Sequence, residues 1–124
     1  MENPTRPSHV LVVEDEPLIA LDIEDALAEH GFAVRLARSI AEARTLLAAL
    51  PPPAMVLLDV VLPDGRSFEL AGDILAAGLP LVFLTGYDHG IPDELKDVRV
   101  VQKPFSSTAL VAVVTGLYGS SPID

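Results

Sequence analysis

Short apolar runs recur along the chain, and each is bounded by polar or turn-forming residues. The runs cover residues 9–14, 33–37, 54–59, 81–85 and 98–102. Apolar runs of this length, bounded by turn signals, predict strands that are buried on both faces of a sheet. The run at 33–37 is more polar than the others, which favours a place at the edge of the sheet.

Longer stretches with apolar residues at helical spacing separate these runs. The predicted helices cover residues 16–31, 39–50, 67–78 and 106–118. Pro17 suits the first turn of the first helix, and Ser39 with Glu42 has the spacing of a capping box at the second. Alternating strands and helices predict an α/β fold, a doubly wound five-stranded parallel sheet with right-handed crossovers.

The segment 86–97 interrupts this alternation. A helix is expected there, but the segment contains two glycines and Pro92, and few apolar residues. Any helix must fit mainly between Pro92 and Asp97, which is too short to be stable alone. We therefore expect the fourth helix of the fold to be short or irregular.

Polar residues that can bind a ligand or react lie at the ends of four predicted strands. Glu14 and Asp15 end the first, Asp59 ends the third, Thr85 ends the fourth, and Lys103 follows the fifth. In an open parallel sheet, the binding crevice lies beyond the carboxyl ends of the strands. We therefore expect three acids, a hydroxyl and an ammonium group to converge at one edge.

This combination predicts a metal-dependent phosphoryl site. Two carboxylates about 4 Å apart repel each other by roughly 4 kcal/mol at an effective dielectric near 20, and a bound cation relieves that repulsion. Oxygen ligands favour Mg²⁺. Asp59 is the candidate nucleophile, because a carboxylate can hold a phosphoryl group as an aspartyl phosphate. Thr85 and Lys103 can then neutralise the phosphoryl oxygens.

Each of these residues taken singly has a more ordinary explanation. Glu14 and Asp15 can be favourable charges at a helix start, and Asp59 an ordinary residue at a strand end. Thr85 with Gly86 can form a turn, and Lys103 can be a surface lysine. Their occurrence together, at successive strand ends, favours function.

Composition narrows the classes of protein further. The chain has 124 residues, a net charge of −10 and no cysteine. We expect one domain at 8–118 with tails at 1–7 and 119–124. The acidic balance argues against nucleic acid as a partner, because phosphate binding needs a basic surface. No apolar run approaches the roughly 18 residues that a membrane span needs, so we expect no membrane partner and a cytoplasmic location.

The arrangement resembles the receiver domain of bacterial two-component response regulators, which has a flavodoxin-like fold. The resemblance covers residues 8–118 and is carried by Thr85 and by the segments 11–16 (LVVEDE), 57–60 (LLDV), 62–65 (LPDG) and 103–105 (KPF). Thr85 and these segments correspond to four features of the family: the acidic pair, the phosphoacceptor, the switch hydroxyl and the lysine–proline pair.

The resemblance implies a role for each site residue. It implies that Mg²⁺ is held by Glu14, Asp15, Asp59 and the backbone carbonyl of Val61. Asp59 would accept a phosphoryl group from a sensor histidine kinase or phosphotransferase, and Thr85 and Lys103 would bind its oxygens. The bond between Lys103 and Pro104 would be cis, as in the family.

Residues 83–87 (FLTGY) are similar to the motif of the FATGUY subgroup of receivers, which are often single-domain proteins with an irregular fourth helix. Leu84 replaces the alanine of that motif. Many receivers carry an aromatic switch residue three positions before the lysine, where this chain has Val100. We expect Tyr87 to take its part beside Gly86.

We expect a single-domain regulator whose output is protein binding, phosphate relay or phosphate draining. Residues 106–118 include no charged residue, and their apolar residues occupy more than one face. We expect this helix and the segment 86–97 to dock a downstream protein or a second copy of the chain.

Two other functions are consistent with part of the pattern. A magnesium phosphohydrolase would use Asp59 as nucleophile, but such enzymes usually carry a second acid where this chain has Val61. An interaction module that is never phosphorylated would have no need for the complete set of site residues. We therefore expect a phosphoacceptor protein whose only reactions are self-phosphorylation and slow autodephosphorylation.

Overall fold

The computed structural model describes residues 9–49, 51–86 and 90–118. The strands in these ranges are β1 Val10–Val13, β2 Val34–Ala37, β3 Met55–Asp59, β4 Val61–Leu62, β5 Gly65–Arg66, β6 Leu81–Thr85 and β7 Arg99–Gln102. The helices are α1 Pro17–Ala28, α2 Ile40–Ala49, α3 Phe68–Ala76 and α4 Ser107–Tyr118. The predicted tails and Tyr87 lie outside the described residues.

Five strands form one parallel sheet in the order β2-β1-β3-β6-β7. The predicted doubly wound α/β sheet is therefore confirmed, with the more polar strand β2 at one edge. Successive residues of each strand point to opposite faces. In β1, Val10 and Val12 pack with residues of α1 and α4, whereas Leu11 and Val13 pack with residues of α2 and α3. Helices thus cover both faces of the sheet.

A small antiparallel hairpin directly follows the third strand of the sheet. In it, β4 pairs with β5 so that Val61 lies opposite Arg66 and Leu62 lies opposite Gly65. The sequence predicts only a turn at 62–65, because two-residue strands are too short to show a hydrophobic period. The hairpin returns the chain across the end of β3 before α3 begins.

The second helix begins with the predicted side-chain cap. Ser39 Oγ accepts a hydrogen bond from the Glu42 N–H at 3.1 Å. The Glu42 carboxylate accepts from the Arg38 N–H at 2.6 Å, whereas in a standard capping box it would accept from the N–H of Ser39. The expected capping box is therefore confirmed in its first half and shifted by one residue in its second.

Asp64, in the turn of the hairpin, supplies a second cap to the same helix. Its two carboxylate oxygens accept hydrogen bonds from the N–H groups of Ile40 and Ala41 at 2.9 and 3.0 Å. These hydrogen bonds hold the pKa of Asp64 below its ordinary value. The hairpin is consequently fastened to the N-terminus of α2.

The segment between β6 and β7 does not form an α-helix in its described part. Residues 90–98 contain one short 3₁₀ turn at Asp93–Leu95, and Gly90 has a φ of +95°, which favours glycine. Leu95 is buried against the α2 and α3 side of the sheet. The expectation that the helix between β6 and β7 is short or irregular is confirmed. No helix within the described ranges is long and apolar enough to cross a membrane.

Candidate functional site

The carboxyl ends of four neighbouring strands bring the polar residues together at one edge of the sheet. Strand β3 lies between β1 and β6, and β7 lies beside β6. Glu14 and Asp15 follow β1, Asp59 ends β3, Thr85 ends β6, and Lys103 follows β7. The expected convergence is therefore seen, although Glu14 and Lys103 are far apart in the chain.

Lys103 lies between two carboxylates. Its Nζ is 2.8 Å from Glu14 Oε1 and 3.0 Å from Asp59 Oδ2. Burial by itself lowers the pKa of Lys103, but the two carboxylates outweigh burial and raise it above its ordinary value. The ammonium group is therefore kept charged at this edge.

A backbone hydrogen bond fixes the position of Lys103 beside β6. The Lys103 N–H donates to the Thr85 carbonyl at 2.7 Å, so the lysine is tied to the neighbouring strand. The bond from Lys103 to Pro104 is cis, which confirms the expectation from the family resemblance.

Glu14 is almost completely buried, with 1% of its surface exposed. Its Oε2 accepts a hydrogen bond from the Glu16 N–H at 3.1 Å. Burial raises the pKa of Glu14 above its ordinary value; Lys103 opposes this change, and the nearby Asp59 adds to it. Glu14 is therefore more than a favourable charge at a helix start, because it lies in the interior with its carboxylate within 4.8 Å of that of Asp59.

Three carboxylates form a cluster that suits a hard cation. Ligand oxygens of Glu14, Asp15 and Asp59 all lie within 4.8 Å of one another. Glu14 Oε1 is buried and, in the described part of the chain, makes the ion pair with Lys103 without an aligned hydrogen bond. An all-oxygen set with an unsatisfied buried oxygen fits Mg²⁺. These residues therefore fit the metal that the sequence predicts.

An open cleft of about 380 Å³ lies over this cluster. Its lining includes Asp15, Glu16, Asp59, Val60, Val61, Arg66, Thr85, Gly86 and Lys103. Asp59 is 6% exposed and Thr85 4% exposed, so both lie at the floor, whereas Val61 is 55% exposed at the rim. Pro104 lies in a neighbouring groove between α1 and α4. The expected partner of Thr85, Tyr87, lies outside the described residues.

Two residues near the cleft were not identified from sequence. Ser67 is fully buried, and its Oγ donates to the Asp59 carbonyl at 2.7 Å while its N–H donates to the Val60 carbonyl at 3.0 Å. Ser67 therefore fixes the backbone that carries Asp59. Arg66 lines the cleft because the hairpin brings it beside Val61. The one sequence feature that could have indicated Arg66 is that it lies seven residues after Asp59.

Comparison with known proteins identifies the family of this chain. Residues 10–115 match the sequence profile described as the response regulator receiver domain. The chain belongs to this family. The same fold occurs in solved receiver proteins that align with about nine-tenths of the chain. Members of the family are signalling proteins, and the acidic cluster of this receiver domain corresponds to the place where such domains bind Mg²⁺.

Individual relatives are similar at modest identity. The phyllosphere-induced regulator PhyR of Methylorubrum extorquens is 29% identical over 113 residues, which are 87% of this chain and 42% of PhyR. The chain spans about half the length of the curated relatives that it matches first.

Two solved structures show the likeness in three dimensions. SdrG of Sphingomonas melonis Fr1 is 30% identical, with a TM-score of 0.76 over 90% of this chain and 97% of SdrG. The response regulator TrrA of Thermotoga maritima, solved in complex with Mg²⁺ and BeF, is 27% identical. Its TM-score is 0.78 over 89% of this chain and 98% of TrrA.

Proposed function

We propose that this receiver domain accepts a phosphoryl group on Asp59 in a magnesium-dependent reaction and signals through the phosphorylated state. The observation that carries the proposal is the position of Lys103 Nζ, 2.8 Å from Glu14 and 3.0 Å from Asp59 at the carboxyl edge of the sheet. An ammonium group held there can meet the charge that a phosphoryl group brings to Asp59.

In the proposed reaction, a carboxylate oxygen of Asp59 forms a bond to phosphorus. The bond from phosphorus to the donor breaks at the same centre, and the donor leaves with the electron pair. Lys103 and the Thr85 hydroxyl bind the phosphoryl oxygens, and Ser67 holds the Asp59 backbone in place. Mg²⁺, held by Glu14, Asp15, Asp59 and the Val61 carbonyl, would neutralise charge on the transferred group.

The donor in this proposal is a sensor histidine kinase or a phosphotransferase. We propose that the chain belongs to the FATGUY-type subgroup, because the described part of 86–97 contains a 3₁₀ turn in place of an α-helix. We also propose a cytoplasmic location, with which the absence of cysteine is compatible. Its net charge of −10 argues against nucleic acid as a direct partner.

The proposal favours a phosphoacceptor over a phosphohydrolase. A hydrolase with an aspartyl intermediate needs a general acid close to the nucleophile. Val61 occupies the corresponding position at the rim of the cleft, and its side chain has no proton to give. We therefore assign only self-phosphorylation and slow autodephosphorylation to this site.

Intact-mass spectrometry after incubation with acetyl phosphate tests the proposal directly. Wild-type protein with Mg²⁺ should gain one phosphoryl group, and the same protein in EDTA should gain none. Asp59→Ala should gain none with Mg²⁺, whereas the matched control Asp25→Ala, on the exposed side of α1, should behave as wild type. An adduct on Asp59→Ala, or none on the wild type, would refute the assignment.

We further propose that α4 and the segment 86–97 form the output surface. On α4, Leu110 and Val114 are buried, whereas Ala112 and Leu117 are exposed and no charged residue accompanies them. Leu117 also lines a cleft of about 380 Å³ with Leu75, Leu81, Glu94, Asp97, Val98 and Arg99. An uncharged exposed helix face beside a cleft lined by both apolar and charged residues suits a downstream protein or a second copy of the chain.

A further inference from the structure

Arg66 is a second cationic side chain at the proposed phosphoryl site. It lies in β5, directly opposite Val61 in the antiparallel hairpin. Residues that face each other across an antiparallel pair project to the same side. Both side chains are exposed, and both line the cleft whose floor is formed by Asp59. The hairpin therefore places Arg66 beside the space that a phosphoryl group on Asp59 would enter.

The charges around the cleft leave Arg66 available. Asp15, Glu16 and Asp59 line the cleft, and Lys103 is already paired with Asp59 and the buried Glu14. Among the described residues, no carboxylate lies within ion-pair distance of Arg66. Phosphorylation would add negative charge where the lysine is already shared between two acids.

We propose that Arg66 binds the phosphoryl oxygens on Asp59, as a second cation beside Lys103. This inference rests on the proposed phosphoacceptor function. The planar guanidinium can donate two parallel hydrogen bonds to two oxygens of one phosphoryl group, which an ammonium cannot do. Arg66 is exposed, so its guanidinium can turn toward a phosphoryl group on Asp59.

The present position of the guanidinium adds a consequence. Arg66 Nη1 is 3.0 Å from the place that a Cβ atom on Gly90 would occupy, so it lies against the backbone of Gly90. Gly90 belongs to the segment between β6 and β7. A guanidinium that turns to the phosphoryl group leaves Gly90. Phosphorylation of Asp59 would therefore change the contacts of Gly90.

The test compares Arg66→Gln with Arg99→Gln, a matched charge change at the start of β7, away from the cleft. Titration calorimetry measures the affinity for Mg²⁺ alone, and then for beryllium fluoride at saturating Mg²⁺. Arg66→Gln should bind the fluoride mimic roughly tenfold more weakly, which corresponds to the loss of one charge-assisted hydrogen bond, because the glutamine amide can still donate to one oxygen. Its affinity for Mg²⁺ should be unchanged or tighter, because a nearby positive charge is removed.

A loss of beryllium fluoride affinity without a loss of Mg²⁺ affinity distinguishes a phosphoryl ligand from structural damage. Equal losses of Mg²⁺ and beryllium fluoride affinity would make Arg66 a structural residue and overturn the inference. Equal beryllium fluoride affinity in Arg66→Gln and Arg99→Gln would also overturn it. If the wild type itself bound neither the mimic nor a phosphoryl group, the phosphoacceptor function would fail before Arg66 was tested.

A second measurement follows the contact with Gly90. In wild-type protein, the backbone amide signal of Gly90 in a nitrogen–proton NMR spectrum should move when beryllium fluoride binds in the presence of Mg²⁺. In Arg66→Gln the movement should be clearly smaller, because no guanidinium leaves the glycine. An equal movement in both proteins would separate Gly90 from Arg66 and contradict the coupling.

Discussion

At the scale of single residues, the site depends on one ammonium group that serves two carboxylates. Glu14 and Asp59 are both nearly buried, and Lys103 lies within 3.0 Å of each. Burial of a carboxylate without a partner is costly, so the three residues act as a unit. A divalent cation at the same acids would take over part of the role of the lysine.

Removal of that ammonium group should therefore destabilise the protein in a metal-dependent way. Lys103→Met should lower the free energy of unfolding in EDTA by about 2 kcal/mol, less than for a fully buried pair because the lysine is partly exposed. Saturating Mg²⁺ should restore most of this loss, while phosphorylation by acetyl phosphate is abolished. Urea unfolding in EDTA and in Mg²⁺ measures the effect, with the exposed Lys96→Met as control. A loss that Mg²⁺ did not reduce would contradict it.

His9 should make the stability of the protein depend on pH. Burial, and then the charge of Arg35, lower the pKa of His9 in the folded protein. The unfolded chain therefore takes up a proton first as the pH falls below about 6.5, and stability declines until the folded pKa is passed. Urea unfolding at pH 7.5 and 5.5 should show a smaller decline in His9→Gln than in the wild type. Arg35→Gln should fall between them, and equal declines in all three would exclude His9.

At the scale of elements, the hairpin β4–β5 connects the phosphoryl site to a helix. Ser67 ties one end of it to the Asp59 and Val60 carbonyls, and Asp64 ties its turn to the first N–H groups of α2. The first turn of a helix has N–H groups without partners in the helix, so an acid there stabilises it. The hairpin and α2 should therefore gain stability from each other.

Replacement of Asp64 should weaken both elements. Asp64→Ala should lower the melting temperature, and Asp64→Asn should lower it less, since asparagine can still accept one hydrogen bond. The pKa of Asp64 is lowered by its hydrogen bonds, so its contribution is present above pH 4 and is lost as the pH falls through the folded pKa. Melting curves from pH 7 to pH 3 should therefore converge for wild type and Asp64→Asn. A constant difference would contradict this cap.

The elements also show what the sequence can and cannot predict. The inner strands β1, β3 and β6 were predictable because each is a nearly continuous apolar run. The outer strands β2 and β7, which contain Arg35 and Arg99, were predicted from shorter apolar runs. The strand-end residues were predictable because a parallel sheet gathers its carboxyl ends at one edge. The hairpin was not, since two-residue strands show no period. The caps from Asp64 were not predictable either, because they join residues 24 and 23 positions apart. Arg66 enters the cleft only through that hairpin.

At the scale of the whole molecule, the carboxyl edge of the sheet and the outer surface of α4 differ in charge. The site gathers charged residues at the carboxyl edge, whereas α4 presents an uncharged surface on one side. The molecule as a whole has a net charge of −10. Like-charged copies repel one another at long range, so a contact between two copies needs an apolar area that is free of charge. The surface of α4 meets that requirement.

A charge on α4 should consequently affect binding without affecting the phosphoryl site. Ala112→Glu should reduce self-association or partner binding at least severalfold, while the rate of phosphorylation by acetyl phosphate stays as in the wild type. Ala48→Glu, exposed on α2 across the sheet, is the matched control. Sedimentation velocity and pull-down with a phosphodonor kinase measure the effect. Equal association in the two variants would remove α4 from the output surface.

The hydrogen bond from the Lys103 N–H to the Thr85 carbonyl, at 2.7 Å, has a mechanical consequence. Thr85 ends β6, and Lys103 follows β7, which has a neighbour on one side only. A displacement of the Thr85 backbone therefore pulls on an edge strand of the described sheet. Because Val100 stands where many receivers have an aromatic residue, the outer strand can transmit that displacement through its main chain, without the rotation of a large ring.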